Sequence, residues 1–154
     1  MSINKKQPKM KSNRRTFWRL YYHVVWRTKN DEPMLTPKVK HHLLHYIRLK
    51  CAELECPVEA LNAVADHVHL CCRIPPKLAV AEFVQRVKGS SSHHVNHELN
   101  LGVAIEWQRG YGVSSVSPRH VKGVVEYVER QEERHRAQKL VEDLEQTEEV
   151  EEEE

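Results

Sequence analysis

Apolar and polar residues alternate along 17–27, "FWRLYYHVVWR". Trp18, Leu20, Tyr22, Val24 and Trp26 fall on one side. Arg19, Tyr21, His23 and Arg27 fall on the other, the period-two pattern of a strand rich in aromatic and β-branched residues. "NDEP" then turns the chain. Thr36 suits a helix N-cap with Pro37 at the first helical position. Val39, Leu43, Tyr46, Ile47 and Leu54 follow at helical spacing. Strands are predicted over 57–65 and 66–74, close enough to form a hairpin, and "PP" at 75–76 stops the second. Val80, Phe83, Val84 and Val87 form the stripe of a second helix. That helix can run on through "KGSSSHHVNHEL", although Gly89 and the serines weaken it. A short strand is expected at 111–116. Ser117-Pro118 opens a last helix with its stripe at Val121, Val124, Val125 and Val128, continuing polar to about residue 140.

The order β-α-β-β-α-β followed by a helix predicts an α+β fold. It is the ferredoxin-like split βαβ arrangement, an antiparallel sheet with helices on one face, plus a C-terminal helix. That fold hosts many functions and proves none. At 154 residues one domain with a real core is expected. Residues 16–140 would form it. The basic start "KKQPKMKSNRR" predicts a flexible arm over 1–15, and "VEDLEQTEEVEEEE" a disordered acidic tail over 141–154. The arm, with Arg14 and Arg15, is either a solubilising tail or a source of phosphate contacts.

No apolar run approaches the length of a membrane span, and the N-terminus has no apolar signal-peptide core. Cys51, Cys56, Cys71 and Cys72 lack CxxC spacing, so a cysteine-rich zinc site is not expected. They read as reduced, buried residues of a cytoplasmic protein.

Candidate chemistry gathers at three places. In "VADHVHLCCRI", residues 64–74, Val68, Leu70, Cys72 and Ile74 share one strand face, and His67, His69, Cys71 and Arg73 the other. Two imidazoles side by side on a strand suit a metal ion. With 11 histidines in 154 residues, however, one His-x-His pair is about what chance gives. On the last helix Tyr127 and Gln131 are four apart, stacked on a flank away from the valine stripe. Alone, Tyr127 there is a boundary tyrosine packing its ring. The third place is "FVQRVKGSSSHHVN", residues 83–96. Arg86, Lys88, Ser90, Ser91 and neighbouring histidines offer donors for phosphate oxygens, or simply a solvated helix face.

Together these stretches resemble the single-tyrosine HUH transposases of short bacterial insertion sequences, of the insertion-sequence-200-like type, and the related REP-associated tyrosine transposases. His67-Val68-His69 within "DHVHL" is similar to the His-hydrophobic-His motif. "YYHVVWRTKNDEPML", "VQRVKGSSSHHVN", "WQRGYGVSSVS" and "VVEYVERQEERH" resemble the family's other motifs in their order, over about residues 17–136. The resemblance implies a metal-dependent transposase. It would cleave and rejoin single-stranded DNA at hairpin-bearing ends through a covalent 5′-phosphotyrosine. Tyr127 would be the nucleophile. His67, His69 and Gln131 would hold one Mg²⁺ or Mn²⁺, and Asp66 is a candidate to orient a ligand. Arg86, Lys88, Ser90, Ser91, Arg14 and Arg15 would contact DNA, with Trp18, Tyr21, Tyr22, Trp26 and Trp107 as possible stacking surfaces. A homodimer sharing its active sites between subunits is implied, and the "GVSSVSPRH" linker fits that exchange. The alternative is a domesticated relative that binds hairpin DNA without transposition. A small zinc-binding structural protein is disfavoured for want of a fourth obvious ligand. The tail "EEVEEEE" is no family feature and would repel DNA. It either aids solubility or covers the basic groove.

Overall fold

The computed structural model describes residues 16–136 and 141–148. The arm read at 1–15, with Arg14 and Arg15, therefore lies outside the described residues. Strands β1 (Tyr21–Arg27), β2 (Val58–Val64), β3 (His67–Arg73) and β4 (Gly112–Val116) form one antiparallel sheet in the order β2-β3-β1-β4. Helix α1 (Pro37–Glu53) joins β1 to β2, and α2 (Val80–His93) joins β3 to β4. This is the ferredoxin-like order expected from the pattern.

Helix α1 starts as predicted. Thr36 Oγ1 accepts a hydrogen bond from Val39 N at 3.4 Å, and Pro37 occupies the first turn. Its buried stripe is Val39, Leu43, Ile47 and Cys51. Tyr46 lies beside that stripe, stacked on His94, and Leu54 falls just past the helix end. The stripe of α2 is Phe83, Val84, Val87 and Ser91, and the helix passes into a π-helical turn over His94–Glu98. Both helices bury their stripes on one sheet face, against Val24, Trp26, Val68, Leu70 and Cys72. All four cysteines are buried and free.

The opposite sheet face is covered as well. Helix α3 (Val121–Glu129) packs Val128 on Ala60 and Cys71. Asn62 Nδ2 of β2 donates to the carbonyls of Val128 and Glu129 at 3.1 and 3.2 Å, which pins the C-terminal end of α3 to β2. Because both faces are covered, His23, Val24, Val25 and Trp26 of β1 are all buried rather than alternately so.

Four local readings are corrected. The first strand begins at Tyr21, and Phe17 and Leu20 are exposed. The last helix starts at Val121 after a turn in which Ser117 Oγ pairs with His120 Nδ1 at 2.6 Å. It breaks at Arg130, whose φ of −102° and ψ of 24° leave the helical region, and α4 (Gln131–Arg136) follows. The "GVSSVSPRH" stretch is not a free linker, since Gly112–Val116 pairs with β1. The expected acidic tail is also partly structured. Within it, α5 (Glu142–Glu145) lies against β1 and β4.

Candidate active site

His67 and His69 stand on the sheet face that α3 covers, both buried. A two-residue turn, Ala65-Asp66, links them to β2. That turn is tied to the end of β1, because Thr28 N and Oγ1 both donate to Asp66 O, at 2.9 and 3.1 Å. Asp66 therefore belongs to the turn, not to the alternating strand, and can face its neighbour. Its Oδ1 accepts from His67 Nδ1 at 2.6 Å. This fixes Nδ1 of His67 as the protonated nitrogen and aims Nε2 into the site. The hydrogen bond from His67 holds the Asp66 carboxyl below its usual range. Burial opposes charge on His67, but the Asp66 and Glu145 carboxylates outweigh it and raise the imidazole overall.

His69 is held from behind. His23 of β1 lies diagonally across from it, in the sheet register Val25–His69 and His23–Cys71. His23 Nε2 and His69 Nδ1 share a proton at 2.8 Å, with the rings stacked 5.0 Å apart. Burial, then the neighbouring His69, pull His23 down to about 3, so it is neutral at ordinary pH. Burial likewise lowers His69, against the pull of Glu145.

Tyr127 and Gln131 come from the α3–α4 junction. Tyr127 is 2 % exposed, and its ring lies 6.0 Å from that of His69. The flank position read from periodicity is thus a buried one, because β3 and the 141–148 segment enclose it. The Arg134 guanidinium sits 4.8 Å from the centre of the Tyr127 ring. Gln131 is fully buried. Its Nε2 donates to Tyr127 O at 3.0 Å, and its Oε1 accepts from His135 Nε2 at 3.1 Å.

The group that faces the two imidazoles is Glu145 of α5. Its Oε2 lies 3.1 Å from His67 Nε2 and 3.1 Å from His69 Nε2. Its Oε1 accepts from the Tyr127 hydroxyl at 2.5 Å, and Val141 N donates to the same hydroxyl at 3.1 Å. Burial alone would raise the Glu145 carboxyl, but the nearness of the His67 imidazole and the bonds from His69 and Tyr127 hold it far below the carboxylate range. Burial and this adjacent carboxylate push the Tyr127 phenol up to about 12. The hydroxyl is therefore kept protonated.

This donor set fits a divalent cation. Ligand atoms of His67, His69, His135 and Glu145 all lie within 4.8 Å of one another. His67 Nε2 is buried and makes no hydrogen bond of good geometry, despite its nearness to Glu145. A lone pair left without a proton donor, beside a second imidazole and a carboxylate, is what a metal ion requires. The cluster could hold a metal ion.

A family model described as "Transposase IS200 like" matches residues 16–131. The chain belongs to this family. It is 27% identical over 127 residues to the ISDra2 transposase TnpA of Deinococcus radiodurans, covering 79% of this chain and 91% of that one. It is also 27% identical over 126 residues to the transposase for insertion sequence element IS200 of Salmonella typhimurium, covering 79% and 82%. Among solved structures, a Deinococcus radiodurans R1 protein described as a transposase superposes with a TM-score of 0.60. It is 27% identical, with 79% of this chain and 98% of that chain covered. A REP-associated tyrosine transposase bound to a REP hairpin shares the fold, at a TM-score of 0.57 and 16% identity over 80% and 74% of the chains.

Within this family framework the predicted site residues divide. His67, His69 and Tyr127 converge on one point, and Gln131 reaches it through His135. The phosphate-binding candidates of α2 do not converge there. Arg86 is exposed and pairs with Glu82 at 3.0 Å. Lys88 Nζ donates to the carbonyls of Gln108 and Gly110 at 2.9 and 2.7 Å, so it braces the loop before β4. Ser90 and Ser91 donate to Arg86 O and Lys88 O within their own helix. Of the aromatic candidates Trp26 is core, and Trp107 packs edge-on against it. Sequence reasoning missed His23, Arg134, His135 and Glu145. His135 follows Gln131 by four on a helix, a spacing that could have revealed it. Glu145 carries no such signal among 22 acidic residues.

Proposed function

We propose that this transposase-family chain cleaves and rejoins single-stranded DNA next to hairpins, with Tyr127 as the nucleophile. One observation carries the reading. The Tyr127 hydroxyl and the two imidazole Nε2 atoms meet on a single carboxylate, so one oxyanion can touch nucleophile and metal ligands together. A DNA phosphate could do the same.

His67 and His69 would hold the cation, with Gln131 or His135 as a further donor once Glu145 has given way to a phosphate. Mg²⁺ or Mn²⁺ is the ion this reading expects, since the remaining positions must take hard phosphate and water oxygens. Such an ion supplies Lewis-acid polarisation of the scissile phosphate. The chain's own residues do the rest. Asp66 and His23 fix the two imidazoles. Arg134, stacked on the Tyr127 ring, favours the developing phenolate. The Tyr127 oxygen attacks phosphorus, the bond to the 3′ oxygen breaks, and the proton leaves with the freed 3′-hydroxyl. The product is a 5′-phosphotyrosine. A second strand's 3′-hydroxyl can reverse the step without ATP, because the bond energy is retained.

A homodimer that exchanges α3 between subunits belongs to this reading. Residues 117–120 are where the chain would cross. In the single chain described, Tyr127 stands beside the His pair of its own chain.

A denaturing gel of labelled hairpin oligonucleotides incubated with Mn²⁺ tests the reading. Wild type should give a protein-sized shift, and Tyr127→Phe none, with oligonucleotide binding retained. An adduct that persists in Tyr127→Phe would remove Tyr127 as nucleophile. Binding without any adduct, across varied flanking sequences, would favour a DNA-binding module that no longer transposes.

A further inference from the structure

We propose that residues 141–148 are a ligand of the chain's own active site, with Glu145 standing where the substrate phosphate enters. The inference rests on the strand-transfer reading above and names a control on that site.

Four contacts hold the segment. The first is Glu145 itself, whose two oxygens divide between the nucleophile and the imidazole pair. A phosphodiester in the same place would turn a non-bridging oxygen toward the imidazole pair and its phosphorus toward the Tyr127 oxygen. The second is Val141 N, which donates to the Tyr127 oxygen. With its O–H donating to Glu145 and a lone pair engaged by Val141 N, that oxygen has no free approach to phosphorus. The third lies on β4. Gly112 sits opposite Val25 on the His face of the sheet, and the Gln146 carbonyl rests directly on it. A Cβ at Gly112 would lie 1.8 Å from Gln146 O, so only glycine leaves the slot that seats the segment. Gln108 Nε2 adds a bond to Glu148 Oε1 at 3.3 Å.

The seat is shallow. Val141, Glu142, Asp143, Gln146 and Glu148 are exposed, and the segment adds nothing to the buried core. Contacts that are few, polar and solvent-edged open at low cost. The segment also carries the same sign of charge as DNA, in Glu142, Asp143, Glu145 and Glu148. A DNA strand and this segment cannot share the site, so one must displace the other.

Full-length wild type, Glu145→Ala and Gly112→Ala test this with two readouts. One is the rate at which tetranitromethane nitrates Tyr127, followed by peptide mass. The other is affinity for a fluorescent single-stranded hairpin oligonucleotide in Mn²⁺. Gly112→Ala evicts the segment without touching a histidine or Tyr127. Glu145→Ala keeps the test readable if the added methyl, also 2.9 Å from Val25 Cγ1, disturbs the sheet. Both variants should nitrate faster. Both should bind the oligonucleotide about fivefold tighter, the equivalent of roughly 1 kcal/mol for one competing contact removed. Unchanged nitration, or faster nitration with unchanged or weaker DNA binding, would overturn the proposal. Faster nitration with no DNA bound by any of the three chains would remove the DNA reading and leave the cover over Tyr127 standing.

Discussion

His69 shows how much of the site depends on single residues that touch neither substrate nor metal. Its Nδ1 faces His23 at 2.8 Å, deep in the sheet. For Nε2 to present a lone pair to a cation, the shared proton must sit on Nδ1, and His23 must accept it. His23→Ala removes that acceptor, and the orientation of the ring with it. Mn²⁺ affinity, read by electron paramagnetic resonance, should then fall about 10- to 100-fold. His23→Gln should recover part of it, since its amide oxygen can accept the same proton. Unchanged Mn²⁺ affinity in a folded His23→Ala protein would show that His69 needs no support from β1. The HVH pair was legible in the sequence because strand geometry puts His67 and His69 on one face. The Tyr127–Gln131 spacing was legible because i and i+4 stack on a helix. The support of His69 was not. It depends on which strand pairs with β3 and in what register, and alternation alone does not supply that. Nor was the direction of the Gln131 amide, which turns on a hydrogen bond to His135.

At the scale of elements, apolar stripes predicted correctly wherever burial decides the structure. The α1 stripe is the clearest case, with Leu43 fully buried and Leu49, on the same helix, 57 % exposed. Leu43→Ala should cost roughly 2–5 kcal/mol, whereas Leu49→Ala should stay within about 0.5 kcal/mol. Urea unfolding of the two variants measures the difference, and equal costs would mean that α1 packs on another face. Patterning failed where polar contacts decide. Nothing in "EYVERQEERHR" marks a break, yet the helix ends at Arg130 and restarts at Gln131. Asn62 explains the stop, because its side chain takes the Val128 and Glu129 carbonyls. Those carbonyls then need no continuing helix. The break sets Gln131, Arg134 and His135 on a short separate helix around Tyr127.

Seen as a whole, the molecule divides its sheet into two faces with different work. One face carries α1 and α2 and nearly all of the apolar core. The other carries His23, His67 and His69 and, among the described residues, a small apolar cluster of Ala60, Cys71 and Val128. The stable face anchors the strands, and the chemistry lies on the face held by polar contacts. This division followed from the sequence as far as the fold class. For the acidic tail the charge pattern left two readings open, a solubilising tail or a cover over a basic groove, and did not say where it would dock, because an acidic, weakly apolar stretch has no periodicity that announces a binding site. No helix among the described residues is long and apolar enough to cross a membrane.

In the proposed reaction Tyr127 takes the 5′ phosphate of a cut DNA strand at the His67–His69 site. Peptide mapping by mass spectrometry, after incubation with a single-stranded hairpin oligonucleotide and Mn²⁺, measures it most directly. The expected products are a peptide spanning Tyr127 that carries the nucleotides 3′ of the cut through a phosphotyrosyl bond, and a released strand ending in a 3′-hydroxyl. Cleavage that leaves a free 5′ phosphate and no modified peptide, or an adduct mapped to any other residue, would contradict the proposed reaction.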